Sequence, residues 1–520
     1  MLKPLFAALI LLISISAQSQ NISLKGVVHS GKYKTPIPSA AVFIEGSRIG
    51  ILTNSVGEFF ISVPDSLIKS NIVVSSKGYF TMSMPIELIS APSIDIYLEE
   101  DYSYVEKNNK ALGFLNKAVT FVMNDWVPLG NKETNKFDFG RLQTIPTYNP
   151  IEGVRLRGGI ASNSRLNPHF FIKGYVAYGF KDEKLKYRGE AIYSFNKKAY
   201  HDGEYLKNNI SLIYENDIFS PGEIHPRAMN DLLLVTYRRS DNETTYRNYA
   251  ELNYEKEYKT GFRHATWFRK SRLIPQGELQ FKNIIAGESN FERQINNTEI
   301  GVSATWTSKE SYIQEKRKKI PTSLTNPLVY LSHSVGLKDF MGGDTYYHRT
   351  ELSLQKRFPI ADIARLDMVA EYVKIWNSVP FPLLAYPNQR HRLNIENNAF
   401  FLTRSIEFPT DQQATLRGVF VGENLLFSKS PILNALGFRE LISFRATYGS
   451  LSKKNNPQFN ESLFALPIVS HQYEKGVPYI EGTIGITNIL GLLRLEYVHR
   501  FTYRKYPDAL LGAIRLDIII

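Results

Sequence analysis

From residue 150 to residue 520 apolar and polar side chains alternate through one extended run after another, and this period of two constrains the fold more than any other feature. Ile300, Val302, Ala304 and Trp306 share one face of a segment whose other face carries Glu299, Gly301, Ser303, Thr305 and Thr307. Ile442, Phe444, Ala446 and Tyr448 alternate with Ser443, Arg445 and Thr447, and Ile480, Gly482, Ile484 and Ile486 with Glu481, Thr483 and Thr487. Leu493, Leu495, Tyr497, Phe501 and Tyr503 oppose Arg494, Glu496, Arg500 and Thr502, and Ile514, Leu516, Ile518 and Ile520 oppose Arg515 and Asp517. Further runs are expected at 154–161, 169–180, 186–195, 209–215, 232–238, 246–258, 262–270, 351–358, 365–375, 397–403 and 414–425.

Roughly sixteen such runs are present, several reaching the about 9–11 residues that a tilted membrane strand needs. Past residue 20 no window is apolar enough for a transmembrane helix. A chain that spans a bilayer without helices must close into a barrel, because every backbone N–H and C=O has to pair inside lipid. A soluble β-sandwich or propeller would show similar alternation. It is disfavoured by the strand lengths, by connections that alternate between short and long, and by a charged face too rich for a second sheet to cover. The long connections at 217–230, 308–326, 377–392 and 450–476 are expected to be extracellular. In the second of them Lys316-Arg317-Lys318-Lys319 reads as a solvated loop meeting lipopolysaccharide rather than nucleic acid, since no aromatic residues are interleaved with it.

Composition narrows the choice. The chain has no Cys, which excludes disulfides, thiolate metal sites, a Cys nucleophile and a lipid-anchored Cys. Tyr (30) and Phe (31) greatly outnumber Trp (4), as suits aromatic girdles. The net charge of +12 is interleaved with acids, so anionic headgroups and lipopolysaccharide are expected partners and nucleic acid is not. Lys3, the apolar run Leu5–Ile15 and the small residues Ser16, Ala17 and Ser19 predict a signal peptide over 1–20.

Residues 21–100 carry short β-like runs at 23–28, 41–45, 58–63, 71–75 and 93–98, punctuated by Gly26, Pro36, Pro38, Gly46, Gly57 and Gly78. This spacing predicts a seven-stranded β-sandwich, with Gly57 at a turn and Phe59 and Ile61 pointing into the core. The stretches Gly26-Val27-Val28, Thr35 to Val42, Gly50 to Phe59 and Val73 to Tyr79 resemble the carboxypeptidase-regulatory-like (transthyretin-like) domain. That resemblance implies an accessory module at the periplasmic end of an envelope protein, without peptidase activity. Between module and barrel, residues 101–149 are read as a linker in which Leu112, Leu115, Val119 and Val122 form one face of a short helix.

Tyr148 to Leu156, Tyr175 to Tyr187, Gly482 to Leu490 and Leu493 to Val498 resemble a Bacteroidota family of envelope proteins known as a domain of unknown function. The resemblance implies an outer-membrane barrel preceded by the same module, and supplies no catalytic residue or substrate. No nucleophile elbow, phosphate-binding loop or zinc-protease helix occurs, and the ten His form no i,i+4 or i,i+2 pair, so no enzyme activity, cofactor or metal is expected.

The one concentrated polar feature is inward-facing: Arg445, Glu481, Arg494, Glu496, Arg500, Arg515 and Asp517 on adjacent C-terminal strands. It reads either as a salt-bridged ladder that fills and stiffens the lumen or as a constriction selecting solutes by charge. The chain is thus expected to be all-β, a sandwich at 21–100 and an antiparallel transmembrane barrel at 150–520. Its role is transport, biogenesis or scaffolding in the outer membrane of a Gram-negative bacterium, with the sandwich docking a periplasmic protein. The alternatives are an importer-like barrel of the TonB-dependent kind lacking its plug, and a secreted soluble β-rich binding protein.

Overall fold

The computed structural model describes residues 21–31, 35–99, 126–140, 145–221, 242–307, 312–314, 319–321, 326–388, 399–422 and 425–518, apart from short gaps within these stretches such as 87–92. The expected signal peptide, the linker helix and the run at 232–238 lie outside the described residues.

Among the described residues of 21–98 there are seven strands: β1 (Asn21–Ser30), β2 (Ala41–Ile44), β3 (Gly50–Leu52), β4 (Glu58–Pro64), β5 (Asn71–Ser75), β6 (Met82–Pro85) and β7 (Ser93–Leu98). They divide between a sheet of order β4-β1-β7 and a sheet containing β3-β2-β5-β6. Alternation drives the packing: in β4, Phe59, Ile61 and Val63 are buried while Glu58 and Phe60 are exposed. They meet Leu24, Val28, Val42, Ile44, Ile72, Val74, Ile96 and Leu98 in one core. Gly57 adopts φ +74°, and a Cβ there would stand 2.7 Å from the Val28 carbonyl, so the turn before β4 requires glycine.

The remaining strands are β8 (Trp126–Pro128), β9 (Phe137–Gly140), β10 (Pro146–Asn149), β11 (Gly153–Ser162), β12 (Phe170–Gly179), β13 (Lys184–Ser194), β14 (Asn208–Phe219), β15 (Glu243–Glu257) and β16 (Phe262–Gly277). They continue through β17 (Phe281–Ile285), β18 (Glu288–Glu292), β19 (Ile295–Thr307), β20 (Tyr312–Gln314), β21 (Lys319–Pro321), β22 (Leu328–Gly336), β23 (Tyr347–Ile360) and β24 (Ala364–Ile375). The last are β25 (Gln412–Gly422), β26 (Arg439–Ser450), β27 (Tyr479–Ile489), β28 (Leu493–Arg500) and β29 (Gly512–Ile518). Eighteen of them make one sheet. β11 to β16, β19 and β22 to β29 run as an antiparallel meander, β29 is followed by β8, β8 pairs with β9, and β9 returns to β11. The sheet therefore closes into a barrel. Among the described residues the meander accounts for fifteen of these strands, against the roughly sixteen expected from residue 150, and the short β8, β9 and β10, which begin the sheet at Trp126, supply the other three.

The barrel wall inverts the rule for soluble proteins. On β28 and β29 Leu495, Tyr497, Ile514 and Leu516 are 41–57% exposed, whereas Arg494, Glu496, Arg500 and Arg515 are at most 7% exposed. Water would penalise the first set and the interior the second, unless the outer face meets hydrocarbon. Aromatic rings gather at both rims of this face. Tyr193, Phe195 and Tyr254 form edge contacts at 5.2 and 6.3 Å at one end, and Tyr178 with Phe180 at 5.4 Å and Phe268 with Phe340 at 6.2 Å mark the other. Phe170, which begins β12, and Phe180, just past its end, are separated by about ten tilted residues, roughly 25 Å, the height of a lipid-facing band.

The meander also sorts the connections. The chain leaves β11, β15, β19, β23 and β27 at one end, and β14, β16, β24 and β26 at the other. The expected extracellular loop 308–326 thus leaves the barrel at the end opposite the other three long loops. Its strands β20 and β21 extend the sandwich instead, β20 pairing in parallel with β3 through Gln314 and Ile51. A further correction concerns 397–403: residues 399–403 form no ladder strand and belong to the connection between β24 and β25. Tyr503, expected on the lipid face, lies beyond the end of β28 with φ +53° and is buried against Phe408 and Tyr479.

Candidate functional site

Six of the seven expected lumen residues converge as buried side chains on the inner wall. Strand register sets Arg445 opposite Glu481, Glu481 opposite Arg500, and Glu496 opposite Arg515. Asp517 stands opposite Arg494 in the register of β28 and β29. Arg494 and Arg515 both bind the Glu496 carboxylate, Arg515 through Nη2 at 2.8 Å. Arg445 donates through Nη1 to Ser443 Oγ at 3.1 Å and Thr483 Oγ1 at 3.0 Å, and forms no ion pair among the described residues. A simple cross-strand ladder would have joined it to Glu481.

Glu481 is committed elsewhere. Its carboxylate accepts the backbone N–H groups of Leu402 at 2.7 Å and Phe401 at 3.0 Å, together with the Tyr479 hydroxyl at 2.7 Å. Both backbone donors belong to the connection between β24 and β25, whose residues 399–408 lie against the inner wall of the barrel. There Leu402 packs on the inward-facing Val498 and Ala513, and Phe400 and Phe408 pack on Tyr479 and Tyr503. Arg515 lies over the Phe401 ring at 4.8 Å. Glu407 of the same connection accepts Arg500 Nη2 at 2.6 Å, both side chains being at most 3% exposed. Arg404 reaches Asp508 at 2.6 Å and Glu243 at 3.4 Å. The inserted segment is thus held by ion pairs, by donors to Glu481 and by apolar contact together.

The other half of the wall is equally engaged. Arg155 forms two bonds with Asp217, at 2.6 and 2.7 Å, and Lys186 bonds Glu152 at 2.9 Å. Glu215 bridges Arg188 at 2.7 Å and Arg247 at 2.6 Å, while Glu299 accepts Trp267 Nε1 at 2.9 Å and the Tyr347 hydroxyl at 2.7 Å. Sequence reading missed this half, although the same alternation carries it: Arg155, Arg188, Glu215 and Arg247 are inward positions on strands it identified. Buried charges that bind one another on a wall of this kind stiffen it.

Asp508 lies in the connection 501–511, outside the spanning strands. Burial is the largest single influence and works against its ionisation, but the hydrogen bond from Arg404, a backbone hydrogen bond and the Arg404 charge together outweigh it and hold the carboxyl below its ordinary value. A depressed carboxyl contributes stability above its unfolded pKa and loses it as pH falls through the folded one. The Arg404 contact is therefore expected to persist from pH 8 to about pH 5 and to weaken below about pH 4. Protease nicking of 399–411 in the detergent-solubilised protein, followed across that range, checks it; equal protection at pH 3 and pH 7 contradicts the assignment.

Fold and site together define a membrane-spanning β-barrel whose inner wall carries buried charges and holds an inserted segment of its own chain, with a β-sandwich ahead of it in the chain. The Family of unknown function (DUF5686) C-terminal domain matches residues 129–466, and the chain belongs to that family. The CarboxypepD_reg-like domain matches residues 24–109. Among solved structures, the chain is similar to BamA from Haemophilus ducreyi lacking POTRA domains 1–3, at 12% identity and a TM-score of 0.45 over 85% of this chain and 76% of that one. It is also similar to CdiB from Acinetobacter baumannii, at 9% identity and a TM-score of 0.37 over 82% of this chain and 62% of that one. A sel1-like repeat-containing protein of Acanthamoeba polyphaga mimivirus is 28% identical over 181 residues, 32% of this chain and 34% of its own length. The chain spans about a third of that curated relative.

Proposed function

We propose that this protein is an outer-membrane β-barrel acting as a sealed, lipid-embedded anchor, and that its sandwich at 21–100 docks a periplasmic partner protein. The role is scaffolding or envelope biogenesis in place of diffusive transport, without catalysis, cofactor or nucleic acid. The inserted segment 399–408 carries the reading: Glu481 and Arg500 bind it from the inner wall, Arg500 through Glu407, where a solute would have to pass. The importer-like alternative is disfavoured because the chain's own connection takes the position a separate plug would fill. The soluble alternative is disfavoured by the exposed apolar wall and its two aromatic rims.

Two measurements test this. Fractionation should place the protein in the Sarkosyl-insoluble outer membrane, with migration on gels that changes on heating. Liposome swelling and planar-bilayer recordings should show no steady conductance for the parent and conductance for a variant lacking 399–408. A parent that conducts continuously refutes the sealed anchor. A folded, monomeric protein recovered from water without detergent refutes the barrel in the membrane.

A further inference from the structure

The connection 337–346, at the same end of the barrel as 376–411, is a turn folded sideways onto the outer wall. Its backbone is pinned to β19, Leu337 N–H donating to the Thr298 carbonyl at 2.8 Å and Asp344 N–H to the Asn296 carbonyl at 3.0 Å. Asp339 (φ +64°) and Met341 (φ +48°) both hold left-handed backbone that non-glycine residues rarely adopt, so the surroundings fix this shape against local preference. Its consequence is that Phe340 and Met341 stand outward, each 52% exposed. The Phe340 ring meets the edge of Phe268, an outward residue of the lipid-facing wall, at 6.2 Å. The apolar surface of the barrel is thereby extended from the wall onto the turn, as part of its aromatic rim.

Cations surround this pair. Lys270 and Arg272 follow Phe268 on the outer face of β16, opposite Thr298 and Asn296 in register, and Lys338 begins the turn. Arg272 spends Nε on Asn296 Oδ1 at 3.3 Å, and among the described residues Lys270 and Lys338 have no ion pair. The acids of the turn itself are Asp339 and Asp344; Asp344 accepts the Asn296 N–H at 2.6 Å and is occupied by backbone.

We propose that Lys270, Arg272 and Lys338, with Phe340 and Met341, bind a phosphorylated glycolipid of the outward-facing leaflet, the cations taking its phosphates and the apolar pair its acyl chains. Arginine pairs phosphate oxygens bidentately, and bulky apolar side chains at headgroup depth match a molecule that is anionic above and greasy below. The site rests on the reading that the long-loop end of the barrel faces outward.

The test uses the full chain in phosphatidylethanolamine nanodiscs doped with diphosphoryl lipid A, its dephosphorylated form, or phosphatidylglycerol, with lipid retention read by native mass spectrometry. The parent should retain diphosphoryl lipid A over both others. The K270Q/R272Q/K338Q variant should lose at least about tenfold of that retention. F340S/M341S should lose retention as well while the heat-dependent gel shift stays unchanged. Equal retention by parent and triple variant overturns the site, and equal retention of phosphatidylglycerol overturns the choice of glycolipid. A parent that fails to enter the undoped nanodiscs strikes the membrane-barrel reading itself, and the site falls with it.

Discussion

Replacing Glu407 with Ala is expected to destabilise the barrel by about 3–5 kcal/mol, because it leaves Arg500 charged and buried without its carboxylate. Arg500 is wholly buried and its shortest ionic contact is Nη2 to Glu407 Oε1, 2.6 Å. The Thr502 carbonyl at 3.2 Å and the Tyr479 ring at 4.8 Å remain, with Glu481 opposite in register but bound to Phe401, Leu402 and Tyr479, and none of them replaces the direct ion pair. Loss of Glu407 also removes the acceptor for the Arg404 backbone N–H, 2.8 Å away. The inserted segment should then lose part of its hold, so conductance should appear together with the lower stability. Urea unfolding followed by tryptophan fluorescence, with bilayer recordings on the same samples, reads both. Replacing both members, Glu407→Leu with Arg500→Met, should restore most of the stability, since an apolar pair of similar volume removes the unpaired charge. A Glu407→Ala barrel as stable and as silent as the parent contradicts the account of the plug.

The parts of this molecule that sequence made legible are those where one face of a strand meets a different medium from the other. Ile300 and Val302 against Glu299 and Ser303, or Leu495 and Tyr497 against Arg494 and Glu496, register the boundary between lipid and lumen residue by residue, and the closed sheet followed from that pattern. The same signal ceases where a segment is surrounded on all sides. Ala399 to Leu402 is an uninterrupted apolar run because the barrel wall encloses it, so it reads as one more strand although it lies inside. Partner choice is likewise invisible at one residue's distance. Arg445 and Glu481 share a register line, yet the carboxylate turns to Phe401 and Leu402, which arrive from a connection about 80 positions earlier. Connection ends obey parity alone, so the loop at 308–326 was misplaced once the strand Leu328–Gly336 went unnoticed. Its opening Leu328-Val329-Tyr330-Leu331 has no alternation to reveal it.

The second large effect is expected in the sandwich. Phe59 is 3% exposed, lies in the core beside Val28 and Ile61, and closes over Gly26, where an added Cβ would come within 2.8 Å of its ring. Truncation to Ala removes the largest side chain of that core and leaves a cavity that the two sheets cannot collapse into, at a cost of about 3–5 kcal/mol. A domain of about 80 residues has only a few kcal/mol in reserve, so Phe59→Ala should unfold the module at 37 °C in the full chain. The barrel's stability rests on its own ladders and lumen contacts, so its heat-dependent gel migration should not change. Limited proteolysis should then cut the variant within 21–98 while the spanning strands stay protected. Docking of a periplasmic partner, if it uses a folded surface of the sandwich, should be lost with it. A variant that keeps its protection pattern shows that Phe59 is not the centre of this core. One that loses the barrel as well shows that the two units do not fold independently.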